Sequence, residues 1–324
     1  MNIVITGAAG FLGYHLARAH VAQADQVVLL DNLSKLGGQC DEAYAQLLQH
    51  PAVTAREIDL TDPLANLDLP SDIDIVYHLA AVNGTALFYA RPYHVARTNL
   101  LATLNLLDGL MRSRRRVGRL FYSSSSEVYA GAQQLGYLSI PTDERVPAVF
   151  PQPTPVRFSY GTSKFMGEVL CREFGRQAGI PCTVVRYHNV YGPRMGSRHV
   201  IPELIDRIRQ GTNPLDLYGS HETRAFCYVD DAIRASMLVA TTPACADQII
   251  HIGTPHETVI RDLARLLMTL MGHEVPIREQ ASRADSVSRR CPDISQLRAL
   301  TGFVPTVELR DGLERTIEWY VAHV

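Results

Sequence analysis

Asn2-Ile3-Val4-Ile5-Thr6-Gly7-Ala8-Ala9-Gly10-Phe11-Leu12-Gly13 is the stretch on which the fold turns. An apolar run of strand length meets glycines spaced GxxGxxG, and a helical pattern opens directly behind them. Gly7 permits a tight turn. Gly10 lets backbone approach a pyrophosphate, which then rests on the N–H groups of a helix N-terminus, those of Phe11 and Leu12 among them. Gly13 lets the helix pack close to the strand. Glycines in that strand–turn–helix context predict a dinucleotide site. The second apolar run (26–31) ends at Asp31, 24 residues beyond Gly7. A carboxylate there accepts the ribose hydroxyls of NAD and repels the extra phosphate of NADP, although Lys35 stands near enough to blur the distinction. Asn32 follows it in the same strand end. Asp59-Leu60 after the third run borders the adenine. Leu79, Ala80 and Ala81 line the cofactor side of the fourth, with His78 either lining it too or serving as ordinary strand-end structure.

Outward from that start, short apolar runs alternate with helical patterns. Strands are expected over 2–6, 26–31, 53–58, 74–78, 118–124 and 182–187, all read as buried. Helices are expected over 11–23, 42–50, 94–112 and 159–178, and Asn99 within the third counts with the cofactor contacts. This alternation predicts an α/β fold, a doubly wound parallel sheet of Rossmann type. After about residue 188 Gly, Pro and polar loops interrupt shorter helices (200–210, 231–240, 257–271, 308–322). The expected division is therefore 1–187 as a cofactor domain, with later segments returning to it, and 188–324 as a smaller substrate-binding domain. The segment 131–158 reads as surface loop, and the basic run 112–116 as a solvated turn.

Composition narrows the function class. The 324 residues are 46% hydrophobic and 20% charged, and 31 Lys+Arg against 33 Asp+Glu leave a net charge of -2. No nucleic-acid or membrane partner is expected from that balance. The six cysteines, Cys40, Cys171, Cys182, Cys227, Cys245 and Cys291, form no CxxC pair. They read as free thiols of a reducing cytoplasm, with no zinc or other metal site. The N-terminus shows no leader pattern, and no apolar run is long enough for a bilayer.

Chemistry enters at Tyr160-Gly161-Thr162-Ser163-Lys164, where a tyrosine and a lysine stand four apart on one helical face. A nearby ammonium and a cationic nicotinamide favour the phenolate, so Tyr160 is expected to act as a base near neutral pH, well below the ordinary phenol value of about 10. Lys164 also reaches the nicotinamide ribose. The serine-rich strand end Ser123-Ser124-Ser125-Ser126-Glu127-Val128-Tyr129 supplies a hydroxyl to align the reacting alcohol. Glu127 is either a group that moves a proton beside a transient ketone or a loop carboxylate.

With TGAAGFLG at 6–13, YxxxK at 160–164, Arg186-Tyr187-His188-Asn189-Val190-Tyr191-Gly192-Pro193-Arg194 and Thr223-Arg224-Ala225-Phe226-Cys227-Tyr228-Val229-Asp230-Asp231, the chain resembles the extended short-chain dehydrogenase/reductase family over nearly its whole length. Within it the nearest likeness is to nucleotide-sugar epimerases, dehydratases and decarboxylases. The resemblance implies tightly held NAD, a nucleoside-diphosphate sugar between two domains, and a homodimer through a four-helix bundle to which 94–112 and 159–178 contribute. It implies that Ser125, Tyr160 and Lys164 are catalytic, and that Asn189, Arg224 and Arg283 hold the diphosphate. Arginine suits that task because its planar fork donates two hydrogen bonds at once.

Three branches share a first step, oxidation at sugar C4 to a 4-keto intermediate. An epimerase returns hydride to the other face, a 4,6-dehydratase eliminates water, and a UDP-glucuronate decarboxylase loses CO2. Glu127 resembles the dehydratases and decarboxylases, and Arg290 an arginine of the decarboxylases. The stretches 82–89 and 196–203 depart from the decarboxylase pattern, and Ser126-Glu127 replaces the usual dehydratase Asp-Glu pair. Epimerisation is the leading expectation and decarboxylation the runner-up. A non-catalytic NAD sensor and a freely exchanging dehydrogenase are the rivals from other classes, and the intact Ser–Tyr–Lys set argues against the sensor.

Overall fold

The computed structural model describes residues 1–38, 41–63, 69–152, 154–282 and 287–323. In chain order the elements are β1 (Asn2–Thr6), α1 (Phe11–Ala22), β2 (Gln26–Asp31), α2 (Glu42–Leu48), β3 (Val53–Glu57), β4 (Asp72–His78), α3 (Thr85–Ala90), α4 (Pro92–Ser113), β5 (Arg116–Ser125), α5 (Ala130–Gln134), α6 (Phe158–Ala178), β6 (Cys182–Tyr187), β7 (Val190–Tyr191), α7 (Val200–Arg209), β8 (Leu215–Tyr218), β9 (Thr223–Arg224), β10 (Cys227–Tyr228), α8 (Val229–Thr241), β11 (Ile249–Ile252), β12 (Thr258–Val259), α9 (Ile260–Met271), β13 (Ile277–Gln280), β14 (Arg289–Arg290), α10 (Ser295–Thr301) and α11 (Leu309–His323).

Seven strands form the main sheet in the order β11-β6-β5-β4-β1-β2-β3. β1 pairs in parallel with β2 on one side and β4 on the other, so the strand order reverses at β1, where ligands of such sheets gather beyond the carboxyl ends. Continuous apolar runs suit these strands because both faces are covered. On one face Val4, Val76, Leu120 and Val184 pack with Leu106, Leu107 and Leu110 of α4 and with Cys171 and Phe174 of α6. On the other, His20 of α1 reaches the Tyr77 hydroxyl at 3.1 Å, and the Tyr77 and Phe121 rings lie 5.0 Å apart.

Several expectations need correction. β3 is an exposed edge strand, not a buried one: of Val53, Thr54, Ala55, Arg56 and Glu57, only Val53 is even partly buried. A strand with one neighbour has no second sheet contact to demand apolar side chains. The sheet has a seventh strand, β11, that the sequence did not announce. Within 131–158 lies α5, whose Ala130, Gly131 and Ala132 are buried. Small residues here serve close packing, since a Cβ on Gly131 would come 1.7 Å from the Val149 carbonyl oxygen. In the basic run, Arg115 is partly buried and donates to the Leu69 carbonyl.

The chain divides into two compact units, 1–128 with 152–186 and 236–250, and 129–151 with 187–235 and 251–324. In the second unit α7, α9 and α11 pack on one another, beside paired short strands β8–β13, β7–β10 and β12-β9-β14. Cys171, Cys182, Cys227, Cys245 and Cys291 are free and buried, and Cys40 lies outside the described residues. Among the described residues no helix is long and apolar enough to cross a membrane.

Candidate functional site

The glycine loop is a cradle that side chains would fill. Gly7 has φ +69°, and a Cβ there would stand 2.7 Å from the Ala80 backbone nitrogen. A Cβ on Gly13 would meet the Gly7 carbonyl oxygen at 2.2 Å. Gly10 caps α1 without a side-chain hydrogen bond, and no acidic residue occupies the first turn. The N–H groups of Phe11, Leu12 and Gly13 therefore face outward from a helix end carrying partial positive charge, which fits a pyrophosphate. Thr6 anchors the neighbouring strand end: its hydroxyl accepts from the N–H groups of Leu79 and Ala80, each at 3.2 Å.

Asp31 accepts the Ala9 N–H at 3.0 Å on one oxygen and the Leu33 N–H at 2.7 Å on the other. It thus shapes the loop as well as facing it. Each oxygen keeps a further lone pair, which leaves room for ribose hydroxyls. Burial raises the Asp31 carboxyl above its ordinary value, against the lowering effect of those N–H groups and of Lys35. Asn32 donates to Asp59 at 3.0 Å. Burial pushes Asp59 upward, but hydrogen bonds from Thr61 and Asn32 outweigh it and hold the carboxyl below its usual range. Leu60 is buried in the core, with its carbonyl accepting from Asn105. Ala81 is half-buried beyond the same strand end. Asn99 accepts the Val82 N–H at 2.7 Å and donates to Ser163 at 3.1 Å, tying the post-β4 segment to the helix that carries Tyr160.

His78 is structural. Its ring nitrogens lie 2.8 Å from the Thr6 hydroxyl and 3.0 Å from that of Thr103. Burial, aided by the Lys164 charge, lowers it to about 3, so it stays neutral.

Around Tyr160 the predicted residues meet. Ser125 lies beside the phenol, where its hydroxyl works against the raising of that group, and it accepts the Glu127 N–H at 3.2 Å. Phe88 stacks on the Tyr160 ring, centroids 4.7 Å apart. Lys164, 3% exposed, donates to the Ser123 carbonyl at 2.7 Å and stands 5.9 Å from the Tyr160 ring centre. Burial lowers its ammonium to about 8. The expectation of a phenol poised near neutrality needs correction for these residues alone: burial first, then the Glu127 charge, raise Tyr160 well above its ordinary value, with Ser125 opposing them.

Sequence reading missed three neighbours. Arg157 faces both Glu127 oxygens at 3.4 Å. Glu168 holds Arg186 through two hydrogen bonds, 2.8 and 2.6 Å, in a pair buried on both sides. It docks α6 on β6 one turn beyond Lys164. Phe88 completes the set. A signal existed for two of them, since positions 157, 160, 164 and 168 share one helix face.

Of the expected diphosphate contacts, Arg283 lies outside the described residues. Asn189, Arg224 and Arg290 all belong to the second unit. Arg224 and Arg290 are partners in register on parallel β9 and β14. Arg224 donates to Glu222 at 2.7 Å and to the Thr223 carbonyl at 2.8 Å. Asn189 takes φ +38°, and its buried Oδ1 has no hydrogen-bond partner among the described residues.

A sequence model described as the NAD dependent epimerase/dehydratase family matches residues 3–253. The UDP-N-acetyl-alpha-D-glucosaminuronate decarboxylase of Bacillus cytotoxicus is 30% identical over 98% of this chain and 97% of its own. Among solved structures, the UDP-glucuronic acid 4-epimerase of Bacillus cereus, in complex with UDP-glucuronic acid and NAD, superposes with a TM-score of 0.85 at 26% identity, covering 99% of each chain. The dTDP-glucose 4,6-dehydratase of Streptomyces venezuelae with NAD bound gives 0.85 at 27% identity, over 100% of this chain and 98% of the other.

Proposed function

Because the chain belongs to the NAD dependent epimerase/dehydratase family, and so to a group of NAD-dependent enzymes, we propose that it acts on a nucleoside-diphosphate sugar by oxidising the C4 hydroxyl to a transient ketone. The observation that carries this reading is the gathering of Ser125, Tyr160 and Lys164 at one place, with the Lys164 ammonium 5.9 Å from the Tyr160 ring centre and Ser125 beside the phenol. Ser125 aligns the sugar hydroxyl and Tyr160 takes its proton. Lys164 stabilises the phenolate and holds the cofactor ribose. The glycine loop, with Gly7, Gly10 and Gly13, and Asp31 bind the rest of the dinucleotide. NAD, when bound, accepts and returns a hydride, and its cationic ring lowers the phenol against the burial described above. In this reading the first unit serves the cofactor. The second serves the nucleotide sugar, with Asn189, Arg224 and Arg283 at the diphosphate and Arg290 among the other substrate contacts.

The fate of the ketone divides two readings. Epimerisation is supported by the full-length likeness to a UDP-glucuronic acid 4-epimerase. Decarboxylation of a UDP-hexuronate is equally supported, by the likeness to a uronate decarboxylase and by Glu127 beside Tyr160, where a carboxylate can move a proton on the carbon next to a ketone. We also propose pairing of two copies through α4 and α6, which pack together and carry exposed Leu104, Met111, Met166 and Val169.

Incubation of purified protein with UDP-, GDP-, CDP- and dTDP-sugars, UDP-glucuronate included, followed by proton NMR and mass spectrometry, tests the reading. An isomer of unchanged mass establishes epimerisation, and loss of CO2 establishes the decarboxylase. NAD-bound protein that alters no sugar contradicts the proposal and favours a sensor.

A further inference from the structure

Arg157 sits where helix energetics disfavour it. It occupies the N-cap of α6, where a cation opposes the helix dipole by about 0.3–1 kcal/mol, and it makes no capping hydrogen bond. Its guanidinium instead faces both oxygens of Glu127, with the side chains 12% and 15% exposed. At 3.4 Å the contacts are longer than the ~2.7–2.9 Å of a tight charge-assisted pair. The backbone carbonyl of Glu127 lies against Gly161, so close that a Cβ there would come within 2.6 Å. Arg157, Glu127 and Tyr160 are therefore built as one group.

The chemistry of that group poses a conflict. A carboxylate beside a phenol opposes formation of the phenolate, yet the proposed reaction uses Tyr160 as a base, and its decarboxylation branch also uses Glu127 to move a proton. The groups facing Tyr160 are Ser125, Glu127 and Tyr122 from β5 and the turn after it, Phe88 from α3, and Lys164 from its own helix, with Arg157 paired to the Glu127 carboxylate. Among them Arg157 is the cation in contact with the offending carboxylate.

We propose that Arg157 is a positioning residue for Tyr160: it fixes the Glu127 carboxylate and neutralises its charge at the phenol, so that a carboxylate and a phenolate base coexist in one site. The inference rests on the reading of Tyr160 as the acid–base group.

The test uses NAD-loaded protein labelled with [ζ-13C]tyrosine. The Tyr160 resonance is assigned by its loss in Tyr160→Phe and titrated from pH 6 to 11, a midpoint beyond 11 counting as raised. Arg157→Gln should raise the midpoint by about one pH unit while Glu127 is present. In a Glu127→Gln background the same substitution should move it by less than about a third of that, because Arg157 acts through the carboxylate. Arg157→Lys, which keeps the charge, should recover at least half of the shift. Equal shifts in the two backgrounds, or none with Glu127 present, overturn the proposal. No sugar is needed, so a protein inert toward every nucleotide sugar would refute the proposed reaction without touching this result.

Discussion

The glycine loop and the arginine ribbon of β9 and β14 are both suited to phosphate, and they are built by opposite means. The loop hangs from strands of five to seven residues paired in a fixed register, and what it offers a ligand is backbone. The ribbon consists of two-residue strands, and what it offers a ligand is side chains. In the loop a methyl group is a steric fault. In the ribbon the protein already supplies a stand-in anion, the Glu222 carboxylate on Arg224. The lesson is that the first site is made by excluding atoms and the second by balancing charges. They should therefore fail differently.

The sharpest way to break this contrast is Gly13→Ala. Its Cβ would fall 2.2 Å from the Gly7 oxygen and 2.8 Å from the Ala8 Cα, both backbone. Overpacking of this kind should cost about 1–3 kcal/mol in stability and abolish measurable NAD binding, as read by thermal unfolding and by calorimetric titration. Unimpaired NAD affinity would show that the loop tolerates side chains after all.

Arg224→Ala should have a smaller and different effect. Stability should fall by about 1 kcal/mol, because the mostly buried Glu222 carboxylate loses its ion-pair partner. The KM for the nucleotide sugar should rise roughly tenfold, about 1.4 kcal/mol, with kcat nearly unchanged. A fall in kcat with constant KM would place Arg224 at the reacting centre instead.

A pH effect on stability probes the buried lysine of the first unit. Lys164 titrates at about 8 in the folded protein, below its ordinary value of 10.5. Between those values the unfolded chain binds more protons, so stability rises with pH across that window, and the penalty of burying the ammonium is fully present below pH 8. Chemical denaturation of NAD-free protein at pH 7, 8, 9 and 10 should show a rise that Lys164→Met lacks. Parallel curves for the two proteins would mean that Lys164 keeps an ordinary ammonium.

The same contrast explains what the sequence disclosed. Ile3, Val4 and Ile5 must be apolar because sheet neighbours and helices cover them, so periodicity reveals β1 and the loop behind it. Tyr160 and Lys164 are legible because helical spacing puts them on one face. Arg157 and Glu168 share that face, but the spacing does not name their partners, Glu127 from the turn after β5 and Arg186 from β6. β9 and β14 leave no trace. Two residues make no alternation, and the pairing of Arg290 with Arg224 joins positions far apart in the chain. The height of the Tyr160 phenol is also illegible, because it depends on burial and on the carboxylate that folding brings beside it.

The most direct test of the account compares Tyr160→Phe with the wild type on whichever nucleotide sugar the wild type converts, measuring product by proton NMR and cofactor content separately. The substitution removes one hydroxyl from a buried ring that remains stacked on Phe88. The account predicts retained NAD and folding with a kcat lowered by about 10²–10⁴-fold. Turnover at the wild-type rate by Tyr160→Phe would contradict it.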